Sequence, residues 1–284
     1  MRELGTDYDI RRIYQSEVTA SDLDEADLIL VYFWWQFDYM PHLEADFARN
    51  RHKLLLGVCS HAEVEGDRAE EGLRILRDWG RAVFAVNRQL YQKCQALLNV
   101  PIVYTPNGVD TRFYHPAADR RPGTVMRVGW TGSLFNANGP LRGYYNVIVP
   151  AVRSISGVEL VTAAREHLWR GPDEMRTFYH SLDIYLCASS NEGTPNPCLE
   201  AAACGVPLLT TRVGNMPELV LHGVNGFFAE RDIEDFARKM CLLRDDPDLR
   251  IAMGQRIHQD IQEWDWSIRS QPYRQLFEQA LLQN

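Results

Sequence analysis

Residues 183–211 read DIYLCASSNEGTPNPCLEAAACGVPLLTT. The stretch opens on a short apolar run, 183–188, that lacks the alternation of a half-exposed strand and so predicts a strand buried on both faces. A turn-rich loop follows, and then a helix expected over 197–204. Pro197 fits the first helical position, where its missing N–H has no intrahelical partner, and Asn196 is the expected N-cap. Gly205 ends the helix and Pro207 prevents it from resuming, so 207–210 is the next strand. Strand, loop, helix, strand within 29 residues is the repeating unit of a parallel α/β sheet.

The same grammar extends outward. Strands are predicted at 28–33, 53–59, 82–86, 102–104, 125–130 and 158–162, with helices at 67–79, 88–98, 141–155 and 173–181. The segment 106–123 is rich in proline, glycine and charge and reads as a linker. Two α/β units are therefore expected, 1–116 and 117–262. A last helix, 263–284, carries apolar residues at helical spacing (Trp266, Ile268, Tyr273, Leu276, Phe277, Leu281) and is expected to pack back on the first unit.

Composition narrows the function. The 284 residues carry a formal charge of −8, which disfavours coating nucleic acid or an anionic membrane. The longest apolar run, near 26–35, is too short to span a bilayer, and the polar first residues do not resemble a signal peptide. Six cysteines show no CxxC pair and no clustering with histidine, so no metal site is expected and the compartment reads as reducing cytoplasm.

The loop and helix start at 189–200 place free N–H groups and the positive end of a helix dipole at the carboxyl edge of a sheet, which favours phosphate. Glu192 in the loop and Glu200 in the helix are wrong for phosphate. A carboxylate does accept paired hydrogen bonds from the hydroxyls of a ribose or a sugar. Phosphate and diol together describe a nucleotide-sugar. The plainer reading leaves Glu200 as a partner of the helix dipole and Glu192 as a solvated loop acid.

The whole string resembles the family 4 retaining glycosyltransferases, whose B-type fold pairs two Rossmann-like domains across a cleft. Glu192-Gly193-Thr194-Pro195-Asn196-Pro197-Cys198-Leu199-Glu200-Ala201 stands for the family's Glu-Gly and Leu-Glu-Ala signature. Thr210–Val220 and His222–Phe227 look like its next two motifs, and Asn107-Gly108-Val109-Asp110 looks like its interdomain linker. The resemblance implies that Glu200 holds ribose hydroxyls, that Glu192 contacts the transferred sugar, and that the backbone at Gly193 and Thr194, with Asn196 at the helix start, approaches sugar or diphosphate. It implies the donor-domain loop in Gly129, Thr131, Gly132 and Ser133. Arg142, ahead of Gly143, is the cation for the leaving diphosphate, and His61 after the second strand is the histidine near the donor sugar. The first unit is shorter than the family's: only Gly5 precedes residue 26, where members carry a glycine-rich loop.

The implied activity is metal-independent, retaining transfer from a nucleoside-diphosphate sugar, as co-substrate rather than cofactor, to an unknown acceptor: a glycan, a lipid-linked species or a small molecule. A nucleotide-sugar epimerase of the same fold and a non-catalytic or partner-dependent nucleotide-sugar-binding protein stand as alternatives. The aromatic run Tyr32-Phe33-Trp34-Trp35, with Phe37 and Tyr39, reads first as core and second as a platform facing an acceptor.

Overall fold

The computed structural model describes residues 3–118, 123–134 and 139–282. Asp119–Pro122 of the expected linker lie outside them. The chain divides into two compact units, Met1–Asn107 with Trp266–Asn284, and Gly108–Asp265.

In the first unit four parallel strands run in the order β1 (Ile29–Val31), β2 (Leu54–Val58), β3 (Ala82–Ala85) and β4 (Ile102–Tyr104). β2 and β3 are buried along their whole length, as expected of unalternating apolar runs covered on both faces. One face packs Leu43, Phe47, Leu76 and Leu90 against Leu54, Leu56 and Val83. The other is covered by the C-terminal helix Gln271–Leu282, whose Tyr273, Leu276, Phe277 and Ala280 meet Leu55, Ala82 and Phe84. The Tyr273 hydroxyl donates to the Thr105 carbonyl at 3.3 Å.

In the second unit β5 (Met126–Gly132), β6 (Val158–Ala164), β7 (Ile184–Cys187), β8 (Leu208–Thr210) and β9 (Gly226–Phe228) form a parallel sheet ordered β6-β5-β7-β8-β9. The chain leaves β5 for one edge and then crosses back to β7, so the winding direction reverses between β5 and β7. In open α/β sheets that reversal opens a crevice at the carboxyl ends of the strands.

The sequence placed the first boundary near 116, whereas 108–116 pack with the second sheet. Val109 and Tyr114 are buried in its core. The Val109 N–H donates to the Trp264 carbonyl at 2.9 Å, and Thr111 donates its hydroxyl to Asp265 at 2.8 Å and its N–H at 3.0 Å. The pattern also missed β9 and the helices Ile233–Asp245 and Pro247–Asp260. Both helix starts were readable, because Asp232 and Asp246 accept first-turn N–H bonds as N-caps.

Candidate donor site at the carboxyl edge of the second sheet

Two sequence-named glutamates sit beyond β7, next to the winding reversal. The helix that carries Glu200 runs Asn196–Ala203 with Pro195 at the capping position and no side-chain cap. Asn196 therefore lies inside the first turn instead of capping it, because the Asn196 N–H is taken by the Thr194 carbonyl at 2.9 Å and the Cys198 N–H by that of Pro195 at 2.8 Å. Pro197 falls one position deeper, still within the turn whose N–H groups lack helical partners.

Glu192 is largely buried, and its Oε1 accepts from the Ser189 hydroxyl at 2.9 Å and from Arg142 Nη1. Burial pushes its carboxyl above the ordinary glutamate value, while the Arg142 charge and the Ser189 hydroxyl pull it down. Arg142 reaches it because of Gly143. That residue has φ +74°, and a Cβ there would stand 2.3 Å from the Ala188 carbonyl oxygen. The chain thus presses onto the end of β7 just where Arg142 turns toward the loop. The next residues, Tyr144–Ile148, form a π-helical turn in which the Val147 and Ile148 N–H groups share the Gly143 carbonyl, both at 3.0 Å. Such turns concentrate at functional sites.

The loop backbone is held from the far side. Gly214, at φ +54°, lies so close that a Cβ would stand 2.5 Å from the Gly193 carbonyl. Thr211 donates its hydroxyl to the Ser189 carbonyl at 2.6 Å, and Asn215 donates to the Thr194 hydroxyl at 3.3 Å. The motif at 210–217 thus buttresses the Glu192 loop.

Glu200 is paired inside the unit. The Tyr179 hydroxyl donates to its Oε2 at 2.6 Å, and Tyr114 also hydrogen-bonds the carboxylate. Burial raises the Glu200 carboxyl, and the two phenols oppose that rise. Burial likewise raises both tyrosines, Tyr114 beyond the range of a free phenol. Neither tyrosine was singled out from sequence. They lie on separate segments, 21 residues from Glu200 in one case, and carry no local motif.

The expected glycine loop divides. Gly129 is inside β5, where a Cβ would meet Leu182 at 2.1 Å, so packing and not ligand approach explains that glycine. Thr131 shares a hydrogen bond of 2.9 Å with the Tyr185 hydroxyl. Gly132 ends β5 opposite Ala164 of β6, and Ser133, just beyond, donates to Glu166 in the loop after β6. Thr131, Gly132 and Ser133 therefore sit at the carboxyl edge with the Glu192 loop. Among the described residues no group of acidic, histidine and cysteine side chains forms a metal centre, and no helix is long and apolar enough to cross a membrane.

His61 belongs to the first unit and follows β2. Its Nδ1 lies 3.3 Å from Glu65, and burial, then the Lys93 charge, lowers its pKa. Beneath it is a residue the sequence did not mark. Glu63 is fully buried, and its Oε2 accepts the Cys59 and Ser60 N–H groups at 2.6 and 2.8 Å, while Oε1 is buried without a partner. Burial raises its carboxyl from 4.5 to about 8 against hydrogen bonding from the Cys59, Ser60 and Trp34 backbone. A folded pKa above the unfolded one means stability is complete below about pH 4.5 and is lost as pH rises through about 8. The loss is on the order of 5 kcal/mol. Glu63→Gln keeps an oxygen for both N–H groups. It is expected to melt higher than the parent at pH 8, the gap closing toward pH 5; parallel melting curves across that range would refute the buried, protonated carboxyl.

Residues 150–246 match the family model described as "Glycosyl transferases group 1". The D-inositol 3-phosphate glycosyltransferase of Corynebacterium jeikeium is 34% identical over 111 residues, which are 39% of this chain and 26% of that protein. The N-acetyl-alpha-D-glucosaminyl L-malate synthase of Bacillus anthracis is 38% identical over 82 residues, 28% of this chain and 22% of that one. The matched part thus spans about a quarter of these curated relatives. Among solved structures, sucrose-phosphate synthase from Thermosynechococcus elongatus superposes with a TM-score of 0.75 at 16% identity, covering 91% of this chain and 74% of that one. Anabaena HepE in complex with UDP and glucose gives 0.73 at 15% identity, covering 92% and 79%. Residues 150–246 thus match a glycosyl transferases group 1 domain, within a chain that shares the fold of these solved structures.

Proposed function

We propose that this chain is a metal-independent retaining glycosyltransferase that draws its sugar from a nucleoside-diphosphate sugar. The observation that carries the reading is the Arg142–Glu192 pair at the winding reversal of the second sheet, with Glu200 one helical segment away. HepE binds UDP and UDP-glucose in its solved complexes, which makes uridine donors the first to test here.

Arg142 supplies a cation that the buried Glu192 holds in place at the end of β7. Diphosphate leaving the anomeric carbon builds negative charge, and a guanidinium fixed beforehand stabilises that charge without reorganising. The positive end of the Asn196–Ala203 helix dipole adds a second field, carried by the aligned peptides because the Asn196 and Cys198 N–H groups are already bonded and Pro197 has none. Tyr179 occupies Oε2 of Glu200 and so orients the carboxylate for ribose hydroxyls. Departure of the diphosphate leaves an oxocarbenium-like centre, which the acceptor attacks on the same face. No residue is assigned as nucleophile.

The two glutamates separate in a binding experiment. Losing charge-assisted hydrogen bonds costs about 1.5–3 kcal/mol, roughly ten- to a hundred-fold in affinity. Glu200→Gln is expected to weaken UDP and the intact UDP-sugar alike, measured by titration calorimetry. Glu192→Gln is expected to keep UDP affinity and to lower turnover. Equal loss of UDP affinity in both variants would remove the division of roles.

Turnover is also expected to continue in excess chelator, since no carboxylate pair among the described residues is needed for the diphosphate. A strict requirement for Mn or Mg would defeat the metal-independent reading.

A further inference from the structure

Arg142 ends a helix of a single turn, Gly139–Arg142. One turn fixes many backbone dihedrals for few hydrogen bonds and leaves its last carbonyls without helical partners, so it does not hold its own position. What places the Arg142 guanidinium against Glu192 comes from outside the turn. The segment leading to Glu192 supplies part of it. The Ser190 N–H donates to the Leu141 carbonyl at 2.8 Å, and Gly143 presses on the Ala188 carbonyl.

A further tie comes from Arg231. Its Nε donates to the Ala188 carbonyl at 2.9 Å, and its Nη2 donates to the Pro140 carbonyl. These partners lie 43 and 91 residues away, so no local pattern pairs them. One edge of a planar guanidinium thus joins the end of β7 to the turn that carries Arg142. The fork holds two acceptors at once, and a cation is favourable beside carbonyls that a helix leaves unpaired.

The arm starts from a fixed base. Arg231 follows β9 and precedes Asp232, whose carboxylate caps the helix Ile233–Asp245 by accepting the Glu234 and Asp235 N–H groups at 2.8 and 3.0 Å. Asp235 in turn accepts the Glu230 N–H at 2.8 Å. The backbone on both sides of Arg231 is therefore held, and its side chain spans from the end of β9 to the end of β7, with β8 between them.

We infer that Arg231 is a positioning residue for Arg142: its two bonds to the backbone hold the turn Gly139–Arg142 at the end of β7, and with it the guanidinium paired to Glu192. The inference deepens the proposed function and rests on it where turnover is concerned. A direct role on the diphosphate fits less well, because the forked edge that would grip a phosphate is occupied by two carbonyls.

The test compares Arg231→Ala, Arg142→Ala and the double variant. Arg231→Ala is expected to lower kcat with a UDP-sugar about ten- to a hundred-fold, the cost of a small misplacement. Arg231→Lys, which lacks the fork, is expected to restore little of it. Because Arg231 acts through Arg142, the double variant is expected to turn over within about twofold of Arg142→Ala alone. A second readout needs no activity. Arg142 pulls the buried Glu192 carboxyl down, so releasing it should move an NMR titration of that carboxyl upward in Arg231→Ala, toward its position in Arg142→Ala. Besides Arg142, the Cys187 and Cys198 thiols face Glu192, and neither variant alters them. Arg231→Met, which keeps the apolar stem, carries both readouts if the alanine variant does not fold. An unmoved Glu192 titration, or rate losses that multiply in the double variant, would make Arg231 a staple of the sheet edge alone and overturn the inference. If the parent shows no turnover with any UDP-sugar, the transferase reading fails and the carboxyl titration by itself decides the role of Arg231.

Discussion

A chain ending at Asp265 is expected to lose the fold of its first unit. Hydrogen exchange should show protection vanishing across β1–β4 while the amides of β5–β9 stay protected. The reason is the quality of burial along the terminal helix: Tyr273 is 3%, Leu276 1% and Phe277 8% exposed, all against Leu4, Leu55, Ala82 and Phe84. Burying a large apolar side chain contributes about 1.5–3 kcal/mol. Three of them reach about 5–9 kcal/mol, the order of an entire domain's stability. The truncation also strips one face of a sheet whose two central strands are buried on both. A milder form, Phe277→Ala, is expected to cost about 3–5 kcal/mol in a denaturant titration. Retained protection in β1–β4 of the truncated chain would sink the expectation.

Arg142→Ala is the variant expected to hurt activity most. Removing one preorganised positive group from a developing oxyanion typically costs about a hundred- to a thousand-fold in kcat. A second effect follows from the Glu192 pairing. Arg142 is the leading influence that holds the Glu192 carboxyl down against burial, so its loss moves that pKa further up. If turnover needs the carboxylate ionised, the acid limb of the pH–rate profile shifts to higher pH in the variant. Arg142→Lys should restore only part of the rate, because a compact ammonium lacks the planar fork that binds Glu192 and a phosphate together. A kcat equal to the parent's, with an unmoved acid limb, would remove Arg142 from the chemistry.

Much of the α/β grammar was open to reading from sequence. Unalternating runs such as 54–58 and 184–187 announced doubly covered strands, and prolines 195 and 197 with Gly205 bracketed a helix. Boundaries drifted by a residue where competing backbone bonds decide them, as at Asn196. The missed strand β9 has three residues and no length from which to show a period.

The sequence by itself determined which residue types sit in the loop after β7, because Glu-Gly and Leu-Glu-Ala at that spacing are local facts of the chain. It also determined that the terminal helix needed a cover, since its apolar face is periodic. Only the tertiary structure decided who partners them. Arg142 meets Glu192 across 50 residues, Tyr179 meets Glu200 across 21, and Thr111 meets Asp265 across 154. Gly129 and Gly143 are alike in sequence, yet one fills against Leu182 inside the sheet and the other turns the chain beside Ala188. Pattern and propensity act over a few residues, whereas charge pairing, burial and pKa depend on neighbours that folding brings from elsewhere. Glu63 is the clearest case: an ordinary acid in the sequence, it is pushed to about 8 by a core assembled around it.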